Sequence, residues 1–364
     1  MVEQILTIFR EVRDPRDFTA RHDLGEMLFL VLCGLLCGEK TCVDIADFAA
    51  GHEEEFREVL IMRHGTPSHD TISRVLRLLD PRELKQALAA CLSAMGQSLR
   101  SGAVLAVDGK ALRRAYEAGQ RHMPPLMVSV FDGLTRLSLA QTRAGAGGEA
   151  AAARTLLETL CPKGCTITAD ALHCRPDTAT VIREAGAHYV LGLKTNQPSL
   201  YASAEASFTR ASDALPHLTR SEHGHGRHEQ RIASVAAAPA AARAKLPGLV
   251  AFGRIESVRR VDGAPAQSRT HYYALSRRLT PDQLASLVRG HWGIENHLHW
   301  SLDVIFDEDE ARSRKNFAPE NWAVLRTMAR NILEDDPEDI PIRKKMKKAA
   351  WSKDALFNLF AHMQ

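Results

Sequence analysis

The sequence predicts an α/β protein in which helices flank a mixed sheet and a helical region precedes it. Three observations favour this fold class. Residues 1–100 follow the periodicity of helices. From about residue 103, short apolar runs separated by turn residues indicate strands. The later strands alternate with helical segments, which is typical of a sheet with helices on its faces.

The first 100 residues contain a nearly all-apolar helix at 24–36 and an amphipathic one at 43–60. Ser68 is a good N-cap for a further short helix, whose apolar residues recur at helical spacing. Arg74 and Arg77 lie on its polar face, so it could be the recognition helix of a helix-turn-helix that binds DNA. A solvated amphipathic helix in a helical bundle explains the same pattern.

The region 101–194 is expected to be the first part of a catalytic domain. Apolar runs at 104–107, 126–131 and 137–140 predict a three-stranded meander. The next elements alternate helix and strand, with expected positions 148–160, 166–169, 176–185 and 188–193. This order predicts a mixed sheet in which the first and fourth strands could be neighbours.

Three further regions follow. Residues 195–280 are expected to be a β-rich insertion, with two strands paired around a turn at Asp262-Gly263. Residues 281–335 return to the helical period and complete the catalytic domain. Residues 336–364 form a basic tail, which either lies on DNA or ends in a solvated cationic helix.

Composition limits the class of protein. The 364 residues carry a formal net charge of +3, from 47 Lys and Arg against 44 Asp and Glu. This charge alone does not indicate a nucleic-acid binder. The seven cysteines form no CxxC pair and are expected to be reduced. The longest apolar run, at 27–37, is shorter than the ~20 residues of a membrane-spanning helix. We therefore expect a cytoplasmic protein without a membrane partner.

Two aspartates come directly after predicted strands. Asp108 ends the first strand and Asp170 ends the fourth. Because ligands bind at the carboxyl ends of strands in open α/β sheets, both carboxylates are expected at one functional edge. Each could alone be a loop carboxylate or a helix N-cap. With a third carboxylate they could hold two Mg²⁺ ions ~3.5–4 Å apart, since Mg²⁺ keeps water and phosphate oxygens as ligands.

Glu295 is the candidate for the third carboxylate. It lies in a helix predicted over 281–300, with Trp292 and His299 on the same face. A large aromatic ring beside polar groups indicates a helix that lines a site. A core helix with Glu295 on its outer surface explains the pattern equally well. Three acids downstream could assist or replace it, namely Asp303, Asp307 and Glu308.

Six segments in order resemble the conserved blocks of bacterial insertion-sequence DDE transposases, most closely the H-repeat-associated branch found beside Rhs elements. The three catalytic blocks match Asp108-Gly109-Lys110, Thr168-Ala169-Asp170-Ala171 and His291-Trp292-Gly293-Ile294-Glu295-Asn296. The other three match residues 67–71, 225–229 and 302–309. The resemblance runs from about residue 14 to about residue 331, which is nearly the whole chain.

The resemblance implies a ribonuclease H-like fold with a β-rich insertion before the helix of the third carboxylate. It implies that Asp108, Asp170 and Glu295 are catalytic and bind two Mg²⁺ or Mn²⁺ ions. It further implies hydrolysis at the ends of an element and transesterification into target DNA. The expected partners are double-stranded DNA, as terminal repeats and target, and a second subunit in a homodimer. The expected location is the bacterial nucleoid.

Further residues are expected to contact phosphates, which dominate affinity for DNA. His173 and His225 could touch a scissile phosphate. For each candidate, an ordinary surface residue is an equally good interpretation. Besides Arg74 and Arg77, the candidates are Lys110, Arg113, Lys194, Arg227, Arg231, Arg289 and His291.

Three other classes of protein stay open. A ribonuclease H-like nuclease would use the same metal site without joining strands, and only a strand-transfer assay separates the two. A domesticated DNA-binding protein would have lost catalysis, although all three carboxylates are present. A purely structural α/β protein would hold Asp108, Asp170 and Glu295 far apart.

Overall fold

The computed structural model describes residues 2–115, 124–210, 215–224, 227–261 and 266–363. The expected turn at Asp262-Gly263 and the candidate His225 lie outside these residues. The expected fold class is confirmed, because a nine-stranded mixed sheet is flanked by helices and follows a helical region. Within the described ranges, every helix is too short or too polar to cross a membrane.

The described chain begins with six helices, namely α1 (Glu3–Arg10), α2 (Leu24–Cys37), α3 (Cys42–Gly51), α4 (Glu53–Phe56), α5 (His69–Leu78) and α6 (Pro81–Ala94). Helix α2 is apolar and buried nearly all round, as its composition predicts. Ser68 caps α5 as expected. The single helix expected over 43–60 is wrong, because the backbone leaves the helical conformation at His52 and divides it into α3 and α4.

The next five strands are those that the sequence predicts, namely β1 (Val104–Ala111), β2 (Leu126–Asp132), β3 (Ser138–Arg143), β4 (Thr166–Ala169) and β5 (His188–Leu193). The first three form an antiparallel meander, and β4 runs parallel to both β1 and β5. The order β3-β2-β1-β4-β5 agrees with the expected ribonuclease H-like sheet. Strands β1 and β4 are therefore neighbours, and β1 continues to Ala111, beyond the level at which β4 ends.

Three helices cover one face of this sheet, namely α7 (Gly148–Leu160), α8 (Pro176–Glu184) and α9 (Pro198–Arg210). Their buried residues, among them Leu157, Ile182 and Phe208, share one core with Val107 and Ile167 of the strands. This packing holds the end of β1 and the turn after β4 against the start of α7.

The region expected to be a β-rich insertion extends the same sheet with four strands, β6 (His217–Gly224), β7 (Arg227–Ala237), β8 (Ala251–Val261) and β9 (Gln267–Leu275). A short helix, α10 (Ala240–Arg243), connects β7 to β8. Strand β9 pairs antiparallel with β5, so the extension is continuous with the central strands. The sequence indicated two of these strands and missed β6 and β7, whose residues are largely polar.

The helix expected over 281–300 is divided into three parts. Helix α11 (Pro281–His291) is followed by a π-helical turn at Ile294–His299, here called the π turn, and by α12 (Trp300–Val304). Such turns occur often at functional sites. The remaining helices are α13 (Ala318–Asp335), α14 (Ile342–Trp351) and α15 (Lys353–Asn358).

Helix α13 packs against helices from both ends of the described chain. It is buried along nearly its whole length. Its residues Leu325 and Met328 belong to one hydrophobic core with Phe29 of α2 and with Met346 and Phe357 of the last two helices. The segment that the sequence identifies as a basic tail therefore packs against the N-terminal helices.

Candidate active site

The edge of the sheet where β4 ends carries the two expected aspartates. Asp170 directly follows β4 as expected. The expectation that Asp108 ends the first strand is wrong, because antiparallel pairing with β2 continues β1 through Asp108 to Ala111. Val107 and Ala169 are partners in the parallel register, so Asp108, within β1, and Asp170, directly after β4, lie side by side at the same level. Asp170 also accepts a hydrogen bond from the backbone N–H of Leu172 at 2.8 Å. Its N-cap role is thus real, and it does not exclude a second role at the sheet edge.

Glu295 approaches this edge from the π turn. Ile294 and Leu298 on either side of it are fully buried and anchor the turn, whereas Glu295 is exposed. His299, at the end of the turn, has its Nδ1 atom 3.6 Å from Oδ2 of Asp108. Trp292 is 51% exposed, so it is not a core residue. Each of the two interpretations of this helix is correct in part. Ile294 and Leu298 are core residues, and the outer face that carries Glu295 is polar.

The surroundings of Asp108 disfavour a negative charge. Burial, together with the nearby carboxylates of Glu149, Glu295 and Asp170, raises the pKa of Asp108 to about 7. The backbone N–H of Gly109 acts in the opposite direction but is outweighed. Like charges shift a pKa in this way only when they are close. Four carboxylates are therefore gathered at this edge, and a bound cation would relieve their repulsion.

Glu149, the fourth of these carboxylates, is not recognisable as a site residue from the sequence. It lies in the first turn of α7, where an acidic residue is common because it interacts favourably with the helix dipole. Its Oε1 atom is 3.1 Å from Nε2 of His173, and that nitrogen is 4.0 Å from Oδ1 of Asp170. Of the two histidines expected near a scissile phosphate, His173 therefore lies behind the carboxylates and is buried.

The donor atoms at this edge fit Mg²⁺ or Mn²⁺, since both ions prefer carboxylate oxygens. In the described part of the chain, no group of three or more His, Cys, Asp or Glu is arranged as a preformed metal cage. This arrangement agrees with the chemistry of Mg²⁺, which usually takes one or two carboxylates and completes its shell with water and substrate phosphates. Convergence of the three expected carboxylates on shared ions stays a prediction.

Two further histidines near the carboxylates are uncharged at neutral pH. Burial, with a contribution from Lys110, lowers the pKa of His299 to about 4. Burial also lowers the pKa of His291, although Asp170 acts against this shift. The Nδ1 atom of His291 is 3.1 Å from Oγ1 of Thr168 on β4. His291 can therefore offer a hydrogen bond to a phosphate but no fixed positive charge.

Lys110 is buried in an ion-pair network. Its side chain is 9% exposed, and its ammonium lies 2.7 Å from Asp303, 2.9 Å from Glu308 and 3.3 Å from Asp309. Burial opposes the charge, but Glu308 and Asp303 outweigh it and raise the pKa of Lys110. The fourth acid of this segment, Asp307, pairs with Lys40. Asp303, Asp307 and Glu308, the acids that could replace Glu295, are thus paired with lysines. Glu295 instead contributes to the raised pKa of Asp108.

Several of the expected DNA contacts lie along two concave surfaces. A cavity of about 410 Å³ between the sheet extension and α11 is lined by Arg231, Arg289, Trp292 and Tyr273, among others. A second cleft, here called the basic cleft, is lined by Arg77, Arg312, Arg314 and Lys315 above Trp322. Each surface carries cationic side chains that suit a phosphate backbone.

The other expected DNA contacts are more scattered. Arg74 and Lys194 are exposed. Arg113 is 75% exposed and pairs with Asp309. Arg227 begins β7, at the far end of the sheet from β1. The fold therefore does not bring all the expected cations to one place.

The sheet and its acidic edge define a class, α/β proteins in which the sheet displays carboxylates at one edge. Residues 100–332 match the family described as Transposase DDE domain, and residues 6–91 match the family described as DDE_Tnp_1-associated. The chain belongs to this family of DDE transposases, which confirms the resemblance found in the sequence.

Two relatives known from their sequences agree with this assignment. The chain is 30% identical over 354 residues to the "H repeat-associated putative transposase YhhI" of Escherichia coli K12, covering 93% of each protein. It is 30% identical over 347 residues to the "Putative transposase YncI" of Escherichia coli O157:H7, covering 91% of this chain and 87% of the relative. Among solved structures, a piggyBac transposase synaptic complex with hairpin DNA matches 98% of this chain and 78% of that one, at 12% identity and a TM-score of 0.48.

Proposed function

We propose that this chain is a metal-dependent DNA transposase that cleaves phosphodiester bonds at transposon ends and joins the freed strands to target DNA. The observation that supports this most is that Asp108 and Asp170 lie side by side where β4 ends, and that burial, with the charges of Glu149, Glu295 and Asp170, raises the pKa of Asp108 there. Membership of the DDE transposase family supplies the class of reaction.

In this mechanism, Asp108 and Asp170 would hold two Mg²⁺ or Mn²⁺ ions and Glu295 would complete the set. Once bound, such ions activate an attacking water or 3′-hydroxyl and stabilise the leaving oxygen. The chain contributes the positions of the carboxylates, because strand pairing fixes both aspartates and the buried residues of the π turn fix Glu295. His291, which is neutral, can donate or accept a hydrogen bond beside the reacting phosphate.

Double-stranded DNA is the proposed partner, as terminal repeats and as target, and a homodimer is the proposed active complex. A DNA substrate would place the protein at the bacterial nucleoid. The proposed phosphate contacts are Arg74, Arg77, Arg113, Lys194, Arg227, Arg231, Arg289 and His291, with the other cations of the basic cleft. Lys110 is better suited to order the acidic segment 303–309 than to touch DNA, since its ammonium is already paired.

The proposal is tested with the full-length chain, Mg²⁺ and a linear duplex that carries both ends of the genomic element that encodes it. We expect cleaved ends and strand-transfer products. The variants Asp108→Asn, Asp170→Asn and Glu295→Gln should lose both, because each removes a charge from the metal site. Glu158→Gln, an exposed carboxylate on α7, is the control and should retain both products.

Other outcomes identify the competing classes. Cleavage without joined products would support a nuclease that does not transfer strands. Binding of the duplex without cleavage by the native chain would support a domesticated DNA-binding protein. Retention of activity in Glu295→Gln, with loss in Asp303→Asn, would move the third carboxylate to the downstream acidic segment.

A further inference from the structure

We infer that Glu149 and His173 form a positioning pair that holds the two aspartates of the metal site in place. This inference rests on the proposed function and adds two residues that lie outside the three-carboxylate pattern. Glu149 lies in the first turn of α7, and its side chain is 16% exposed. His173 ends the short turn after β4, and its side chain is 1% exposed. Neither side chain is therefore placed for a role in solvent.

The carboxylate of Glu149 lies directly against β1 beside Asp108. A Cβ atom at Gly109 would lie 2.6 Å from the carboxyl carbon of Glu149 and 2.8 Å from either of its oxygens. These separations are shorter than van der Waals contact, so a side chain at this position would force the Glu149 carboxylate to move. Glycine within a strand often marks such a close approach. The space that Gly109 leaves is filled by a charged group that also raises the pKa of Asp108.

His173 connects this carboxylate to the turn that carries Asp170. Its Nε2 atom is 3.1 Å from Oε1 of Glu149 and 4.0 Å from Oδ1 of Asp170, and its backbone N–H donates to the carbonyl of Asp170. Its other ring nitrogen is buried and has no hydrogen-bond partner among the described residues. The interaction with Glu149 therefore fixes the orientation of the ring. The pair thus links the strand of Asp108 to the turn of Asp170.

A carboxylate and a histidine behind metal ligands usually orient those ligands, and their removal costs about 10–100-fold in metal affinity. A purely structural pair would behave differently. Its loss would lower the melting temperature through an unpaired buried group and leave metal affinity unchanged once the protein had folded. Metal affinity and melting temperature together therefore separate the two roles.

The test measures binding of Mn²⁺ to the full-length chain by isothermal titration calorimetry, without DNA, and the melting temperature of each variant. We expect Glu149→Gln and His173→Gln each to weaken Mn²⁺ binding about 10–100-fold. Gly109→Ala should do the same, because the added methyl group displaces the Glu149 carboxylate while both members of the pair remain. Glu158→Gln, on an exposed part of the same helix, should bind as the native chain does.

Asp108→Asn separates the two proposals. If it abolishes Mn²⁺ binding while folded Glu149→Gln and His173→Gln bind normally, the pair is structural and this inference is wrong. If Asp108→Asn binds Mn²⁺ normally, the proposed metal site is itself wrong. Should the variants of the pair fail to fold, Gly109→Ala decides, since normal binding in that variant would also overturn the inference.

Discussion

At the scale of single residues, burial changes the role that a motif suggests. In Asp108-Gly109-Lys110, a cation two positions after a carboxylate suggests a phosphate contact. The fold instead surrounds Lys110 with three carboxylates, and one of them, Glu308, is 2% exposed. The positive charge therefore compensates acids that could not otherwise be buried. Lys110 orders the segment between the π turn and α13.

Replacing Lys110 with methionine should be strongly destabilising. The variant leaves Glu308 buried and unpaired, and breaking a buried pair in this way typically costs about 3–5 kcal/mol. Arg113→Met is the control, because Arg113 pairs with the same segment at an exposed position and should cost less than about 1 kcal/mol. Guanidinium unfolding of both variants measures the difference. Equal, small losses would contradict a structural role for Lys110.

This contribution also has an expected pH dependence. The folded-state pKa of Lys110 lies above the ordinary value of 10.5. The stabilisation is therefore present in full at neutral pH and is lost only as the pH rises beyond that value. The difference in unfolding free energy between the native chain and Lys110→Met should accordingly be constant from pH 7 to 9.

The predictability of the site also differs from residue to residue. Asp108 and Asp170 could be identified because each follows an apolar run in the sequence directly, a pattern that indicates a carboxylate displayed by a sheet, although β1 in fact continues past Asp108 to Ala111. Glu149 could not, since an acid in the first turn of a helix is ordinary. Its proximity to Asp108 arises from the packing of α7 on β1. Such proximity depends on tertiary structure, which the sequence pattern does not contain.

At the scale of elements, helix α11 determines where the π turn places Glu295. Gly253 of β8 lies under this helix, and a Cβ atom there would be 2.7 Å from a methyl group of the buried Leu284. Glycine thus permits the close approach of helix and sheet. The sequence predicted a helix here but not the π turn, because Ile294 and Leu298 have the four-residue spacing of an ordinary α-helix.

Gly253→Ala should therefore disturb the site from a distance. Overpacking against Leu284 should cost about 1–3 kcal/mol and move α11, so that Mn²⁺ affinity falls together with stability. Gly290→Ala is the matched control on α11. A Cβ atom there meets no atom of the described residues within 4 Å, so alanine should be neutral or stabilise by about 0.5–1 kcal/mol. Thermal unfolding and calorimetry would contradict the prediction if both variants behaved alike.

The sheet extension shows a second limit to what the sequence predicts at the scale of elements. Strand β7 pairs with β8 along its full length from Arg227 to Ala237, yet its first half alternates charged and polar residues. Main-chain hydrogen bonds hold such a strand, and they leave no hydrophobic pattern in the sequence. The two strands that were predicted, β8 and β9, have apolar residues that pack on α11 and the central core.

At the scale of the whole molecule, the first and last helices share one core. The rings of Phe29 and Phe360 have centroids 5.5 Å apart, and those of Phe56 and Phe357 lie 6.3 Å apart. Lys345 is buried, and its ammonium donates to the carbonyl of Leu333. The sequence suggested a basic tail because cations dominate residues 343–348. Its few apolar residues could be recognised as core only once their partners in α2 and α4 were known.

Removal of residues 336–364 should therefore unfold the helical part of the molecule. The truncation takes Met346, Phe357 and Phe360 out of the core, and each large buried side chain contributes about 2–5 kcal/mol. Their sum is comparable to the about 5–15 kcal/mol by which most proteins are stable. The truncated chain should thus lose its cooperative thermal transition, as followed by circular dichroism.

A charge variant separates this effect from DNA binding. Lys344 and Lys347 are exposed, so replacing both with alanine keeps the core intact and should leave the melting temperature unchanged. If this face lies on DNA, the salt dependence of duplex binding should fall by about one unit of slope for each phosphate that the variant no longer binds. The truncation has its own contradicting outcome. A core that loses three large side chains cannot keep its stability. A truncated chain that melts like the full-length protein would therefore show that the last helices are not part of the core but form a dispensable tail.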